Sequence, residues 1–349
     1  MSHLNYRAFH SLAFIVSLAC SVFAANSATA GTERFAIAIH GGAGTIDKEK
    51  LQGALKRQYE AKLLQALDTG YALLEKGSSS QEAVIAAIQI LEDSPLFNAG
   101  RGAVYTFEGT HELDASLMEG ATLQVGAVAG VKTVKSPIAL AKAVMDKSPH
   151  VLLFGDGAET FAAEQGIARV SNDYFDTEER YQSLLRAKEK LQLKETGNSD
   201  FRASYEGFPD RYKIGTVGAV ALDKHGNLAA GTSTGGMTAK RYGRVGDAPI
   251  IGAGTYADNA SCAVSATGHG EYFIRYNVAA DICARVKYQG VSLQQASDTV
   301  INQVLKDAGG SGGIIAIDTS GNMVMPFNTT GMYRASRSSN GDRYVGIFR

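Results

Sequence analysis

The sequence predicts an α+β fold in which antiparallel sheets carry helices on their outer faces. Strand-like runs follow one another directly, at 103–107, 111–118 and 123–131, and again at 216–223 and 227–234. Helical patterns come in adjacent pairs, 47–76 with 81–93 and 271–287 with 292–307. Turn chemistry agrees: 39 Gly against 6 Pro describes many tight turns and few forced breaks.

"FAIAIH", 35–40, is a short buried-type strand, and "GGAGT" follows it as a glycine-rich turn. A long amphipathic stretch then covers 47–76. Ser78 to Ser80 can cap a second helix over 81–93, with Ala83, Val84, Ala87, Ile88 and Leu91 on one stripe. "AVYTF", "HELDASLM" and "LQVGAVAGV" read as strands linked by turns. "SPIALAKAVMDK" opens a helix with Pro137 in its first turn, and "HVLLFG" is a further strand. From residue 172 the chain turns charged and aromatic, and 172–215 is read as a flexible linker. Within it "TEERYQSLLRAKEKLQLK" has helix-forming composition. Beyond the linker "TVGAVALD" and "NLAAGTST" are strands joined by "KHG", with further strands expected at 261–266, 312–318 and 321–326. No internal repeat is visible.

The 349 residues carry a formal net charge of −1, so neither nucleic acid nor an acidic membrane surface is implied as a partner. The first 30 residues have the layout of a secretory signal peptide: one Arg, an apolar run from Ser11 to Ala24, then small residues. The run is too short for a membrane span. A lipoprotein signal ending at Cys20 is disfavoured by Ser17, which stands where Leu is usual. Export and, in a Gram-negative cell, a periplasmic location are expected. Cys262 and Cys283 have the option of pairing, but two cysteines are no disulfide framework, and Cys283 reads as a packed core residue.

"RYKIGTVGAV", 211–220, joins a polar run to a strand through Gly215 and Thr216. A threonine hydroxyl is a weak nucleophile unless a base removes its proton. An N-terminal threonine can use its own α-amine, which titrates near ~7.7 to 8. That requires a cut between Gly215 and Thr216. The exposed segment before the bond, the permissive Gly215 and the rigid strand after it suit such a cut. Other polar residues gather by sequence context. Thr232 and Thr234 end the adjoining strand, and Arg244 and Asp247 stand three apart among glycines. Thr267, Gly268 and Gly270 occupy a strand-to-helix step. Such a step can stabilise an oxyanion, and an arginine with an aspartate can hold an amino-acid head group.

In these stretches the chain resembles the plant-type asparaginases, or isoaspartyl peptidases, of the N-terminal-nucleophile hydrolases. The matching runs are "IHGGAG", "LFNAGRGAV", "HELDASLMEG", "GTVGAVALD", "GTSTGG", "GRVGDAPIIGAGTYAD" and "SATGHGE", in that order, from about residue 34 to the end. The resemblance implies a four-layer αββα sandwich and a precursor that cuts itself before Thr216. It implies an α subunit over 31–215 and a β subunit over 216–349, paired as a homodimer of αβ units. Thr216 would be the nucleophile, Thr234 its hydrogen-bonding partner and Asn98 its support. Thr267 and Gly268 would form the oxyanion hole. Arg244 would bind the substrate α-carboxylate, Asp247 its α-amine, and Gly270 would contact the substrate. No cofactor is implied for catalysis. A structural sodium ion is implied, bound by the main-chain carbonyls of Leu91, Glu92, Ser94, Phe97, Ala99 and Arg101. The implied reaction is hydrolysis of β-aspartyl dipeptides and of the asparagine side-chain amide, releasing aspartate. The sister glycosylasparaginases usually carry Asn where this chain has Gly235 and favour "ATGxGD" over "SATGHGE"; Gly231 leans their way. That amidase, and a non-catalytic binding relative, are the alternatives.

Two short patterns compete. "GTSTG", 231–235, fits a serine nucleophile elbow with Asp247 and His269 following, but the sequence after Ser233 is loop-like where an elbow needs a helix. "HGGAGT" lacks the ending of a phosphate loop and reads as a turn at the site's edge. His40, His111, His150 and His269 lack zinc-site spacing and read as packing or hydrogen-bonding residues. Asp114, Asp156 and Glu159 read as surface or turn carboxylates without a role.

Overall fold

The computed structural model describes residues 33–195 and 215–349. The signal expected over 1–30 and the linker after residue 195 lie outside the described residues.

The first segment contributes β1 (Ala36–Gly44), α1 (Gly53–Glu75), α2 (Ser80–Glu92), β2 (Leu113–Glu119), β3 (Val125–Val131), α3 (Pro137–Lys147), β4 (Leu152–Phe154), α4 (Gly155–Glu164) and α5 (Glu178–Glu195). The second contributes β5 (Val217–Leu222), β6 (Leu228–Thr234), β7 (Thr255–Ala257), β8 (Cys262–Gly268), α6 (Gly270–Tyr276), α7 (Val278–Ala284), α8 (Leu293–Thr299), β9 (Gly312–Asp318), β10 (Met323–Val324), β11 (Gly331–Ser338) and β12 (Arg343–Gly346). The mixture of helices and sheets is the expected α+β class. One sheet runs β12-β11-β1-β5-β6-β2-β3-β4 and the other β10-β9-β8-β7. Every neighbouring pair is antiparallel except β3 with β4, which are parallel.

Strand alternation sorts the core. On β1, Ile37 and Ile39 join the cluster built with α1, α2 and α3, while Ala36 and Ala38 join a second cluster with Ala263, Ile315 and Ile317 of the smaller sheet. On β8 and β9, Val264, Ala266, Ile314 and Ala316 face the opposite way, into a third cluster with Phe273, Ile282 and Ile301. Successive side chains of a strand point to opposite faces, so strands with apolar residues on both faces are buried on both. Ser79 caps α2, its side chain and that of Glu82 forming the reciprocal box that satisfies the first turn.

The structure departs from the sequence reading in several elements. "AVYTF" forms no strand. It makes a single bridge, Thr106 to Lys240, because its neighbours are loop residues with no ladder to extend. The glycine-rich turn after residue 40 is strand instead. Gly42 to Gly44 pair with Tyr333 to Gly331 of β11 past a bulge, and an ideal Cβ on Gly41 would stand 2.4 Å from the Phe97 ring. The helix expected over 271–287 breaks at Asn277, whose φ of 49° is left-handed, and ends in a π turn at Arg285–Gln289. The helix over 292–307 passes from α8 into a second π turn at Val300–Leu305. The strand expected at 321–326 shortens to β10, and α4, β7, β11 and β12 are additional. Part of the stretch read as a flexible linker, 172–195, is ordered. Asn172–Phe175 is a 3-10 turn, and α5 buries Leu184, Ala187 and Leu191 against Tyr105 and Ala239. Cys262 and Cys283 are joined by a disulfide with Cα atoms 5.3 Å apart, so Cys283 is not merely a packed thiol.

Candidate active site

Thr216 immediately precedes β5 and is 7% exposed. Its hydroxyl donates to Thr234 Oγ1 at 3.1 Å. Thr234, at the end of β6, donates in turn to the Gly215 carbonyl at 3.2 Å and accepts the Gly236 N–H at 3.0 Å. One donor and two acceptances satisfy that hydroxyl and fix its direction. Asn98 Nδ2 also donates to the Gly215 carbonyl, at 2.7 Å, and to the Gly236 carbonyl at 2.7 Å. Its Oδ1 accepts the Val104 N–H at 2.9 Å, so the amide cannot turn. Two donors therefore polarise the carbonyl of Gly215 while a hydroxyl stands on the next residue. Gly215 has a φ of 119°, and an ideal Cβ there would be 2.6 Å from Asn98 Cβ. Only glycine fits both the conformation and the space.

His40 fixes the other side of Thr216. Its Nδ1 lies 3.0 Å from the Thr216 carbonyl and its Nε2 3.0 Å from Ser265 Oγ. A carbonyl only accepts, so Nδ1 carries the proton and Ser265 donates to Nε2. Burial keeps the ring neutral, its pKa lowered to about 3 against the raising effect of the Thr216 carbonyl. The bulge that follows brings Gly42 against the same peptide, and Ala43 N–H donates to Thr267 Oγ1 at 3.1 Å. The Thr267 hydroxyl proton remains to donate into the site. Gly268 packs against the start of β9, where an ideal Cβ would be 2.7 Å from Gly312 Cα and 2.5 Å from the carbonyl of Ser311 just before the strand.

Arg244, Asp247 and Gly270 form a second group, two residues along the chain from Gly268. An ideal Cβ on Gly270 would lie 2.8 Å from Arg244 Nη2 and 2.8 Å from Asp247 Oδ1. Arg244 makes a two-point pair with Glu271, at 2.9 and 3.0 Å. Burial raises Glu271, but the hydrogen bond and charge of Arg244 outweigh it and bring its pKa to about 2. Asp247 Oδ2 is buried with no hydrogen-bond partner, and burial pushes its pKa up to about 7 against the pull of Arg244. An unpartnered buried carboxylate beside a guanidinium is a place for an ammonium group. The segment is anchored by Ser116 on β2, which donates to the Ala248 carbonyl at 2.6 Å.

Sequence reasoning missed Glu271 and misjudged Asp114. Asp114 is fully buried, faces Thr234 across β2 and β6, accepts the Gly130 N–H at 2.8 Å and leaves Oδ2 unpartnered. The signal in the sequence is its place inside the strand-like run "HELDASLM", between Leu113 and Ala115. Glu92 is also buried. It accepts from Ser233 Oγ at 2.6 Å, Ser136 Oγ at 2.5 Å and Ile138 N at 3.1 Å, tying β6 beside Thr234 to the start of α3. Ser233 is thus fully buried and committed, and no helix follows it, which removes the elbow reading. His269 pairs with Glu271 at 3.3 Å and not with Ser233. "HGGAG" is strand, not a phosphate loop.

The loop carrying Leu91, Glu92, Ser94, Phe97, Ala99 and Arg101 is curled on its own carbonyls. An ideal Cβ would lie 2.3 Å from the Glu92 oxygen at Gly100 and 2.0 Å from the Phe97 oxygen at Gly102. This is a backbone cradle that side chains would fill. Among the described residues no group of His, Cys, Asp and Glu side chains could hold a metal, and no helix is long and apolar enough to cross a membrane.

A family model described as Asparaginase matches residues 33–347. The chain is 50% identical over 315 residues to an isoaspartyl peptidase of Salmonella typhimurium, covering 90% of this chain and 98% of that protein. It is 50% identical over 313 residues to an isoaspartyl peptidase of Escherichia coli, covering 90% of this chain and 96% of that one. An isoaspartyl peptidase/L-asparaginase of Xenopus laevis is 40% identical over 312 residues, 89% of this chain and 94% of its own length.

Proposed function

The chain belongs to the asparaginase family, and from that premise we infer that it is a hydrolase of β-aspartyl dipeptides and of the L-asparagine side-chain amide. It matures by cutting its own chain before Thr216. The observation that carries the reading is the hydrogen-bonded run from Thr216 through Thr234 to the Gly215 carbonyl, which Asn98 also holds.

Self-cleavage starts when the Thr216 oxygen attacks the Gly215 carbonyl carbon. Asn98 and Thr234 stabilise the oxygen that becomes negative. The acyl group passes from nitrogen to oxygen, and water hydrolyses the ester, leaving a Gly215 carboxylate and a free Thr216 α-amine. In catalysis that amine takes the hydroxyl proton. The oxygen attacks the substrate's side-chain carbonyl, with Thr267 and the Gly268 N–H at the oxyanion. Arg244 grips the α-carboxylate once it turns from Glu271, and Asp247 takes the α-ammonium. The proton passes to the leaving amine or ammonia, and water releases aspartate from Thr216.

The finer readings rest on the same ground. Three apolar clusters, one between the sheets and one on each outer face, support a four-layer αββα sandwich. The main-chain oxygens around the cradle of Gly100 and Gly102 are the hard donors a sodium ion takes; the ion would stiffen the loop that carries Asn98. The Cys262–Cys283 disulfide supports export to a periplasm, an oxidising compartment where such bonds persist. A homodimer of αβ units is the expected assembly.

Denaturing electrophoresis with N-terminal sequencing tests the maturation. A smaller band beginning Thr-Val-Gly-Ala-Val, with aspartate released from β-aspartyl-leucine, is the expected result. A chain that stays whole for days and hydrolyses neither substrate would leave a binding relative.

A further inference from the structure

Four buried hydroxyls between the two sheets have no role in the steps above. Ser116 and Thr232 are cross-strand partners on β2 and β6 of the large sheet. Thr255 and Ser265 are cross-strand partners on β7 and β8 of the small one. All four are fully buried, as is His40. Their oxygens meet from sheet to sheet. Ser116 lies 2.8 Å from Thr255, Thr255 2.6 Å from Thr232, Thr232 2.7 Å from Ser265, and Ser265 3.0 Å from His40 Nε2.

The end at His40 fixes the direction of the run. Its Nδ1 donates to the Thr216 carbonyl, so Nε2 accepts and takes the one proton of Ser265. Thr232 must then donate to Ser265, and Thr255 to Thr232. Ser116 heads the run and shares its proton between Thr255 Oγ1 and the Ala248 carbonyl. The contacts from Thr232 to the Gly254 carbonyl, 3.1 Å, and from Thr255 to the Ala248 carbonyl, 3.4 Å, are longer. One end is thus the peptide of Thr216, and the other is the carbonyl next to Asp247. Gly218 keeps the link to His40 open. An ideal Cβ there would stand 2.5 Å from His40 Nε2 and closer still to Ser265 Oγ.

This hold matters most after the cut. Thr216 has then lost Gly215, and its main chain is kept in place by the β5 ladder from Val217 onward and by His40 on its own carbonyl. We propose that Ser116, Thr255, Thr232 and Ser265 are positioning residues, which through His40 hold the Thr216 carbonyl at one separation from the Asp247–Ala248 turn. Nucleophile and head-group site then keep a fixed spacing. This rests on the hydrolase reading and deepens it.

The test measures kcat and KM for L-asparagine in the cleaved wild type, Thr232→Val, Thr232→Ser, Thr255→Val and the double valine variant, with melting temperatures alongside. Valine keeps the branched shape without the hydroxyl; serine keeps the hydroxyl without the methyl. Each valine variant should lose about ten- to a hundredfold, the scale of a small misplacement of reacting groups. The loss should fall mostly in kcat, because the turn keeps its own bond from Ile250 N–H to the Asp247 carbonyl. Thr232→Ser should keep most of the wild-type kcat although it melts lower. The double variant should lose no more than the worse single, since one break already severs the run. A Thr232→Val chain that folds but stays uncut, while Thr232→Ser cuts, is the same result read at the cutting step. Valine variants with the wild-type kcat, equal losses in Thr232→Val and Thr232→Ser, or losses that multiply in the double variant would each overturn the proposal. Ser265→Ala removes one oxygen and no carbon, and it takes the place of any valine variant that does not fold. A wild type that hydrolyses asparagine, with variants that match it, leaves the enzyme reading intact while this one fails. No hydrolysis by the wild type sinks both.

Discussion

Asn98 spends both amide protons on carbonyls, one of them that of Gly215, and its oxygen on Val104. Its replacement by Ala removes one of two donors to the carbonyl under attack. Loss of one oxyanion donor costs about 10²- to 10³-fold in other acyl transfers. Asn98→Ala should slow self-cleavage by that order in a gel time course, while Thr216→Ala stays uncut. An unchanged rate in Asn98→Ala would remove that role. Asp247 sets a pH dependence. Burial raises its pKa to about 7 in the free protein, so below that pH it is a neutral acid that cannot pair with an ammonium. KM for asparagine should rise as pH falls through 7, and Asp247→Asn should raise KM and flatten that dependence. The same pH profile of KM in Asp247→Asn would place the titration elsewhere.

The second-segment helices pack on β8 and β9 in pieces, because Asn277 turns left-handed and two π turns interrupt the helical ladder. The Cys262–Cys283 disulfide pins α7 to β8 across this broken layer. With its cysteines 21 positions apart in the sequence, it should stabilise the protein by about 3 kcal/mol through the unfolded chain. Thermal unfolding with and without a reductant that reaches the bond checks this, with Cys283→Ala as the permanently reduced form. An identical melting temperature in all three would show the bond to be energetically idle. α5 illustrates the opposite case, a charged helix whose few apolar residues, Leu184, Ala187 and Leu191, suffice to dock it beside Tyr105.

The large sheet interleaves the two segments that self-cleavage would separate. β1 lies between β11 and β5, and β2 pairs with β6, so three ladders cross the divide. Pulling the chains apart would strip backbone pairs from the centre of a sheet and open the core beneath α1 and α2. The cleaved protein should therefore elute as one species in native size exclusion and split only under denaturing conditions. Two separately eluting fragments would contradict the sheet order.

The sequence by itself determined the class of fold and the chemistry. Apolar runs bounded by turn residues marked β1, β2, β3, β4, β5, β6, β8 and β9, and the Gly215–Thr216 step with Thr234, Arg244, Asp247 and Thr267 marked the candidate site, because period and residue type are local properties. The tertiary structure decided what depends on partners. "GMYRASRS" carries little apolar alternation, yet it is β11, paired with β1 on one side and β12 on the other, with Arg334, Ser336 and Ser338 buried by those pairings. Asp114 reads as a turn carboxylate, yet it is buried opposite Thr234 by a strand pairing 120 residues apart in origin, Asp114 with Thr234. "AVYTF" has strand composition and no ladder to join. Burial and hydrogen-bond partners come from distant chain, and no local pattern carries them.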